Sequence, residues 1–316
     1  MKIFNGSSGK TLARRICSIL NEDTYPSQVL VPGKLQIDKF ADGEILPLFG
    51  ETVRDEDIFF VQTTNSSDAI METLLVADAA KRAGCKSFTL IAPYQGYSRQ
   101  DKTDHLRSSI GSKVLADIFD KVGVTRLITI DLHASAIQGF YNIPVIHLNG
   151  NKIFIDYIKN HKIEDMVILA PDQGAVKRAS DFCKAFPDDQ FAMINKKRIK
   201  PNEIHSMELV GDVSGKNVII VDDMADTLGT LKKASELVMA SGAKSVRAIA
   251  THGVLSGKAY ENLENSQLFE LLVSDTIEPN LHTKPSKLTI VSCDRLIAKS
   301  ISNLVNKRSI HEINVI

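Results

Sequence analysis

Two adjacent carboxylates, Asp222 and Asp223, close the apolar run VIIV at 218–221, and Asp226, Thr227, Leu228, Gly229 and Thr230 follow within seven positions. Like charges side by side at the end of a buried strand repel, so a site that keeps both needs donors for both. Neighbouring hydroxyls of a sugar are such donors. The segment after the acids has a second capability. Small hydroxyl residues and a glycine that open a helix offer backbone N–H groups, side-chain donors and the positive end of the helix dipole to one phosphate. The amphipathic stretch TLKKASELVMA at 230–240 supplies that helix. A capped helix after a strand accounts for Asp226 or Thr227, but not for the acid pair. A diol on Asp222 and Asp223 with a phosphate on 226–230 fits a ribose 5-phosphate.

Two more strand ends carry acids. ITIDLHAS at 128–135 also supplies His133, and ILAPDQG at 168–174 supplies Asp172. A lone Asp or His there is usually a turn residue or cap, whereas three such ends in one chain favour a cation or sugar site. Oxygen ligands with a single imidazole suit Mg²⁺, which keeps several waters and takes substrate phosphates as partners. A competing reading starts from GSSGKT at 6–11, with the Gly-Lys-Thr ending of a phosphate loop and NVIIVDD at 217–223 as its acid strand. That pattern requires a glycine five positions before Gly9, where Phe4 stands. A Gly/Ser turn into a helix is the better reading.

The elements that must position these residues alternate. Strand runs are expected near KIF and at 57–63, 87–93, 126–131, 166–172, 190–195, 217–223 and 245–252, then in LFELLV and KLTIVS. Several are apolar at consecutive positions, as in strands covered on both faces. Helical patterns lie between them, including 68–84, where basic residues enrich the last turn and Gly84 ends the helix. This alternation predicts an α/β fold with parallel sheets. KKRIKP at 196–201 reads as a basic loop after the strand at 190–195.

The chain has 316 residues, a formal net charge of zero, 43% hydrophobic and 24% charged residues. The length suggests two domains, with a boundary near 147–152. The charge balance gives no global argument for nucleic acid or a membrane surface. Cys17, Cys85, Cys183 and Cys293 lack CxxC spacing, which argues against a zinc knuckle or disulfide framework. No apolar run approaches the ~18 residues of a membrane helix, and the expected location is the cytoplasm.

VIIVDDMADTLGT at 218–230 resembles the phosphoribosyl-diphosphate loop of type I phosphoribosyltransferases, and DLHASAIQGFY at 131–141 is similar to a signature of ribose-phosphate pyrophosphokinases that those transferases lack. FADGE at 40–44, YSRQD at 97–101, APDQGAVKR at 170–178, NKKRIKPNE at 195–203 and THGVLSG at 251–257 extend the resemblance along essentially the whole chain. The resemblance implies two similar phosphoribosyltransferase-type domains, 1–148 and 149–316, each a mainly parallel sheet flanked by helices. It implies transfer of the β,γ-diphosphoryl group of ATP to the anomeric hydroxyl of ribose 5-phosphate, giving 5-phosphoribosyl 1-diphosphate and AMP for nucleotide biosynthesis. It further implies His133 and Asp172 as Mg²⁺ ligands, and Phe40, Asp42, Gly43, Glu44, Arg99 and Gln100 as ATP contacts. Lys196 and Arg198 are implied as the catalytic pair on a mobile loop. Arg198, Asp222, Asp223, Asp226, Thr227, Leu228, Gly229 and Thr230 are implied around ribose 5-phosphate. The assembly implied is a homohexamer of dimers, with each ATP site completed by a neighbour. Two alternatives stand beside this reading. A type I phosphoribosyltransferase shares the acid-pair loop, and a non-catalytic synthetase-associated homologue has an altered or interrupted catalytic loop.

Overall fold

The computed structural model describes residues 1–24, 29–103, 105–200, 203–278 and 285–314, with the side chains at 197–200 and 203–206 outside the described set. The chain forms two compact units. The first comprises 1–149, 276–278 and 294–314; the second comprises 150–275 and 285–293.

The first unit opens with β1 (Lys2–Asn5), α1 (Lys10–Asp23), β2 (Leu35–Lys39), β3 (Ile45–Phe49), β4 (Asp57–Val61), α2 (Ser67–Arg82), β5 (Ser87–Ile91), α3 (Gly111–Val122), β6 (Arg126–Ile130) and β7 (Val145–Leu148). β1, β4, β5, β6 and β7 make a parallel five-stranded sheet in the order β1-β4-β5-β6-β7. After their first residue, β4, β5 and β6 are buried throughout, because helices cover both faces of a parallel sheet. Phe60, Phe88, Phe119 and Leu127 form its core. Helix α2 starts at Ser66, whose Oγ accepts from Ala69 N, and carries Lys81 and Arg82 in its last turn. Both features stabilise the exposed ends of the helix dipole. β2 and β3 form a separate antiparallel hairpin.

The second unit contains α4 (Asn151–Asn160), β8 (Met166–Ala170), α5 (Val176–Cys183), β9 (Gln190–Lys200), β10 (Glu203–Val210), β11 (Asn217–Ala225), α6 (Gly229–Ala240), β12 (Ser245–Gly253), α7 (Ala259–Glu264), β13 (Glu270–Ser274) and β14 (Leu288–Val291). Its seven-stranded sheet runs β10-β9-β8-β11-β12-β13-β14. Every pairing is parallel except β10 with β9. In such sheets ligands gather beyond the carboxyl ends of the strands.

Three findings depart from the sequence expectations. The basic segment at 196–200 is not a loop but the continuation of β9, paired with β10. The β2–β3 hairpin, β7 and β10 had no counterpart among the expected strands. The units are also not two continuous blocks. Helix α8 (Asp294–Val305) follows the last strand of the second unit but packs on α1, and Thr24 Oγ1 donates to Ser302 Oγ at 2.9 Å. Near the chain's end, Asn314 Nδ2 donates to His147 O at 2.8 Å, and its Oδ1 accepts from Asn149 N.

Candidate active site

In the second unit the chemistry collects just beyond β8 and along the neighbouring parts of β9 and β11. β8 and β9 are parallel neighbours, with Ala170 opposite Met193. The residues just beyond that pair, Asp172 and Lys196, meet: Lys196 Nζ donates to Asp172 Oδ2 at 2.9 Å. The lysine side chain is 5% exposed and the aspartate 37%, so a desolvated ammonium is held by a half-exposed carboxylate. Asp172 Oδ1 accepts from Ala175 N at 3.2 Å, capping the short 3₁₀ turn Gln173–Ala175. Arg198 lies on β9 opposite Ile204, and its side chain is outside the described residues.

β11 pairs with β8 on one side and β12 on the other. The pairing with β12 continues through Asp222 to Ala225, so the acid pair sits within the strand rather than after it. Asp223 N donates to Asp222 Oδ1 at 2.9 Å. Asp222 keeps some exposed surface, yet its pKa stands well above the ordinary carboxylate range. Burial of the carboxyl is the largest cause, followed by the charge of Asp223, the side-chain hydrogen bond with Asp223 and the charge of Asp172.

The loop 226–230 then turns into α6. Leu228 is 4% exposed and adopts φ +62°, ψ 4°, a left-handed conformation in which a bulky residue is strained. Left-handed residues beside right-handed ones turn successive N–H groups to one side, and strain of this kind clusters at ligand sites. The loop is braced from behind. Ser256 Oγ donates to Asp226 Oδ1, Asn262 Nδ2 donates to Thr227 O at 2.8 Å, and Leu255 N donates to Ala225 O at 3.0 Å. THGVLSG contains Ser256 but gave it no role, and nothing in the sequence singled out Asn262.

In the first unit the candidate residues occupy three loops. The hairpin tip 40–44 exposes Phe40, Asp42, Gly43 and Glu44. It is closed by Phe40 N to Glu44 O at 2.8 Å, Gly43 N to Phe40 O at 2.9 Å and Glu44 N to Asp42 Oδ1 at 3.1 Å. Gly43 has φ +95° with open space where a Cβ would stand, so conformation alone demands glycine. Gly43→Ala is expected to cost about 1 kcal/mol, read as a lower denaturation midpoint. Arg99 and Gln100 line a cavity of about 340 Å³ with Thr64, Asn65, Tyr94 and Tyr97. Its turn is fixed by Gln100 N to Tyr97 O at 2.9 Å and Ser112 Oγ to Tyr97 O at 2.8 Å. His133 is exposed in the turn between β6 and the 3₁₀ helix Ser135–Phe140. Among the described residues, no group of three or more His, Cys, Asp or Glu side chains is arranged to hold a metal ion.

The phosphate-loop reading of GSSGKT fails on its electrostatics. Ser7 N and Ser7 Oγ both donate to the carboxylate of Glu72, at 2.7 Å each, and Ser8 N donates to Gln62 Oε1 at 2.9 Å. Glu72 is 4% exposed. A buried acid occupies the donors that a phosphate would need, and Phe4 is core, edge-on to Phe49.

Residues 1–123 match the N-terminal domain of ribose phosphate pyrophosphokinase, and residues 184–314 match the phosphoribosyl synthetase-associated domain. A ribose-phosphate pyrophosphokinase of Porphyromonas gingivalis is 43% identical over 310 residues, covering 98% of this chain and 96% of the relative. The chain belongs to the ribose-phosphate pyrophosphokinase family. Its relative in Bacillus caldolyticus is 38% identical over 315 residues, 98% of this chain and 96% of that one. The crystal structure of phosphoribosylpyrophosphate synthetase from Mycobacterium smegmatis matches with a TM-score of 0.88 at 34% identity, covering 97% of this chain and 99% of that chain. The pyrophosphokinase family thus shares the mixed α/β architecture of parallel sheets flanked by helices seen here. Members of such a kinase-type family generally require a divalent metal.

Proposed function

We propose that this chain transfers the β,γ-diphosphoryl group of ATP to the anomeric hydroxyl of ribose 5-phosphate, releasing AMP and 5-phosphoribosyl 1-diphosphate. The observation that carries the reading is the placement, in one unit, of the Lys196–Asp172 pair on β9 and just beyond β8, with β8 itself the neighbour of the strand that carries the acid pair and leads into the left-handed loop 226–230. A phosphoribosyltransferase accounts for the loop, but the family to which the chain belongs does not consume phosphoribosyl diphosphate. A non-catalytic homologue accounts poorly for an intact Lys196.

Each group has a task in this reaction. N–H groups of the first α6 turn lack intrahelical acceptors and receive the 5-phosphate together with Thr227 and Thr230. Asp222 and Asp223 accept hydrogen bonds from the sugar hydroxyls, which replaces like-charge repulsion with two donor contacts. That fixes the pentose and aligns its anomeric hydroxyl for attack at the β-phosphorus. Phosphoryl-type transfer leaves the protein mainly alignment and charge neutralisation. Lys196 supplies a desolvated cation for the diphosphoryl oxygens, and Arg198, further along β9, adds a bidentate one. Phe40, Asp42, Gly43, Glu44, Arg99 and Gln100 hold ATP.

Mg²⁺ is the cation we assign, held by Asp172 and His133. The fit rests on the donor set, carboxylate oxygen with imidazole, and on Asp172 already drawing a cation in the form of the Lys196 ammonium. When bound, the ion would neutralise the polyphosphate and polarise the reacting phosphorus. A hexamer of dimers in the cytoplasm, the first unit contributing the ATP side and the second the ribose 5-phosphate side, completes the proposal. No described helix is long and apolar enough to cross a membrane.

The test is incubation with ATP, Mg²⁺ and ribose 5-phosphate. AMP and phosphoribosyl diphosphate should accumulate in equal amounts. ADP as the nucleotide product, or base-dependent release of pyrophosphate, would overturn the assignment.

A further inference from the structure

We infer that Asn262 is a positioning residue for the sugar-phosphate site: it fixes the Thr227–Leu228 peptide so that the Leu228 N–H faces the bound anion. The inference rests on the proposed role of loop 226–230.

A trans peptide directs its C=O and its N–H to opposite sides. The carbonyl of Thr227 is taken by Asn262 Nδ2 at 2.8 Å, so the Leu228 N–H of the same peptide is turned away from α7. A flip of that peptide would do the reverse. It would aim a carbonyl oxygen at the position where a phosphate must sit, and a lone pair there repels the ligand as strongly as the N–H attracts it. Leu228 gives the flip a motive, because its left-handed φ of +62° is strained. A relaxed loop and an anion-binding loop are therefore different conformations, and something outside the loop must select the second.

Asn262 is placed to do so by α7, not by the loop. Ala259 and Leu263 of that helix are fully buried and anchor it in the core of the second unit beside α6. Asn262 N donates to Lys258 O at 2.9 Å, closing the helical turn that aims the side chain. Ser256, on the segment leading into α7, acts on the neighbouring residue by donating to Asp226 Oδ1. Ala259 N in turn donates to Ser256 O at 3.1 Å. The loop's first two residues are thus tied to one rigid support, while α6 holds its far end through Lys232 N to Leu228 O at 2.9 Å.

The experiment uses Asn262→Leu, which keeps the approximate shape and neutrality but removes the donor, alongside Asn262→Ala. Thr230→Ala serves as a reference within the loop. Ribose 5-phosphate binding is measured by calorimetry without nucleotide, and KM is determined separately for each substrate. Both Asn262 variants should weaken ribose 5-phosphate binding about tenfold, the loss that roughly 1.4 kcal/mol produces. KM for ATP should stay within about twofold and the melting temperature within a few degrees. A purely structural asparagine would lower the melting temperature and both affinities together, which overturns the inference. So does unchanged ribose 5-phosphate affinity in the Asn262 variants while Thr230→Ala loses it. If Thr230→Ala and the Asn262 variants all bind ribose 5-phosphate as the parent does, the loop itself is not the phosphate site and the functional assignment of 226–230 falls first.

Discussion

Lys196→Ala is expected to lower the rate of AMP release by about 10³-fold, the scale on which removing one preorganised transition-state cation or donor acts. The fold should barely notice. Lys196 donates to Asp172, a carboxylate 37% exposed, so water takes over that carboxylate's hydrogen bonds when the lysine is removed. Unfolding midpoints of parent and variant should agree within a few degrees. The lysine side chain is itself only 5% exposed, which means its charge acts through little water and its loss is not replaced by solvent. Ribose 5-phosphate affinity should persist, because the acid pair and loop 226–230 are untouched. A variant with near-normal turnover would remove Lys196 from the mechanism, and one that fails to fold would show that the ion pair stabilises more than its exposure allows.

Asp222→Asn is expected to move activity and stability in opposite directions. Its carboxyl binds a proton more tightly in the folded protein than in the unfolded chain, chiefly because it is buried and also because Asp223 and Asp172 are near. Between the ordinary carboxylate pKa and the raised one, the native state holds more protons than the unfolded state, so stability falls as pH rises through that window. Asparagine has no proton to lose. The ligand-free variant should therefore melt a few degrees above the parent at pH 7 and above, with the gap closing as pH drops below the ordinary carboxylate range. Specificity for ribose 5-phosphate should fall roughly 10- to 100-fold, as expected when a hydrogen bond to a charged acceptor is lost. Equal melting curves at neutral pH would show that the acid pair is not strained in the free protein.

The parallel strands were legible because covering both faces forces consecutive apolar residues, as in IFF of β4 and VILA of β8. The β2–β3 hairpin was not. LQIDK and ILPLF bury few residues, and Pro47 interrupts the second strand, so neither pattern nor propensity marks them. β10 is a strand because β9 offers it a ladder, and a pairing partner leaves no periodic trace. The same limit separates the site residues. Asp172 and Asp222 stood out because three strand ends in one chain carry acids, whereas Lys196 was marked only by the resemblance of NKKRIKPNE, its own segment reading as a basic loop. Asn262 did not stand out, since a side-chain amide that bonds a backbone carbonyl looks in the sequence like any other asparagine. The path of α8 was hidden for a related reason: its apolar face, with Ile297, Ala298 and Ile301 buried, demands a partner but does not name one.

That path has a consequence for how the protein comes into being. Thr24 and Ser302 are 278 residues apart in the chain and touch in the finished first unit. At roughly 5–20 residues per second, the ribosome needs from about a quarter of a minute to about a minute to span that interval. Throughout it, α1, an amphipathic helix, lacks the α8 residues that pack on it in the finished unit. The second unit can thus complete its sheet before the first can complete its helical layer. The half of the protein synthesised first is the half that finishes last, and a nascent chain paused before α8 presents an apolar surface to whatever chaperone is near.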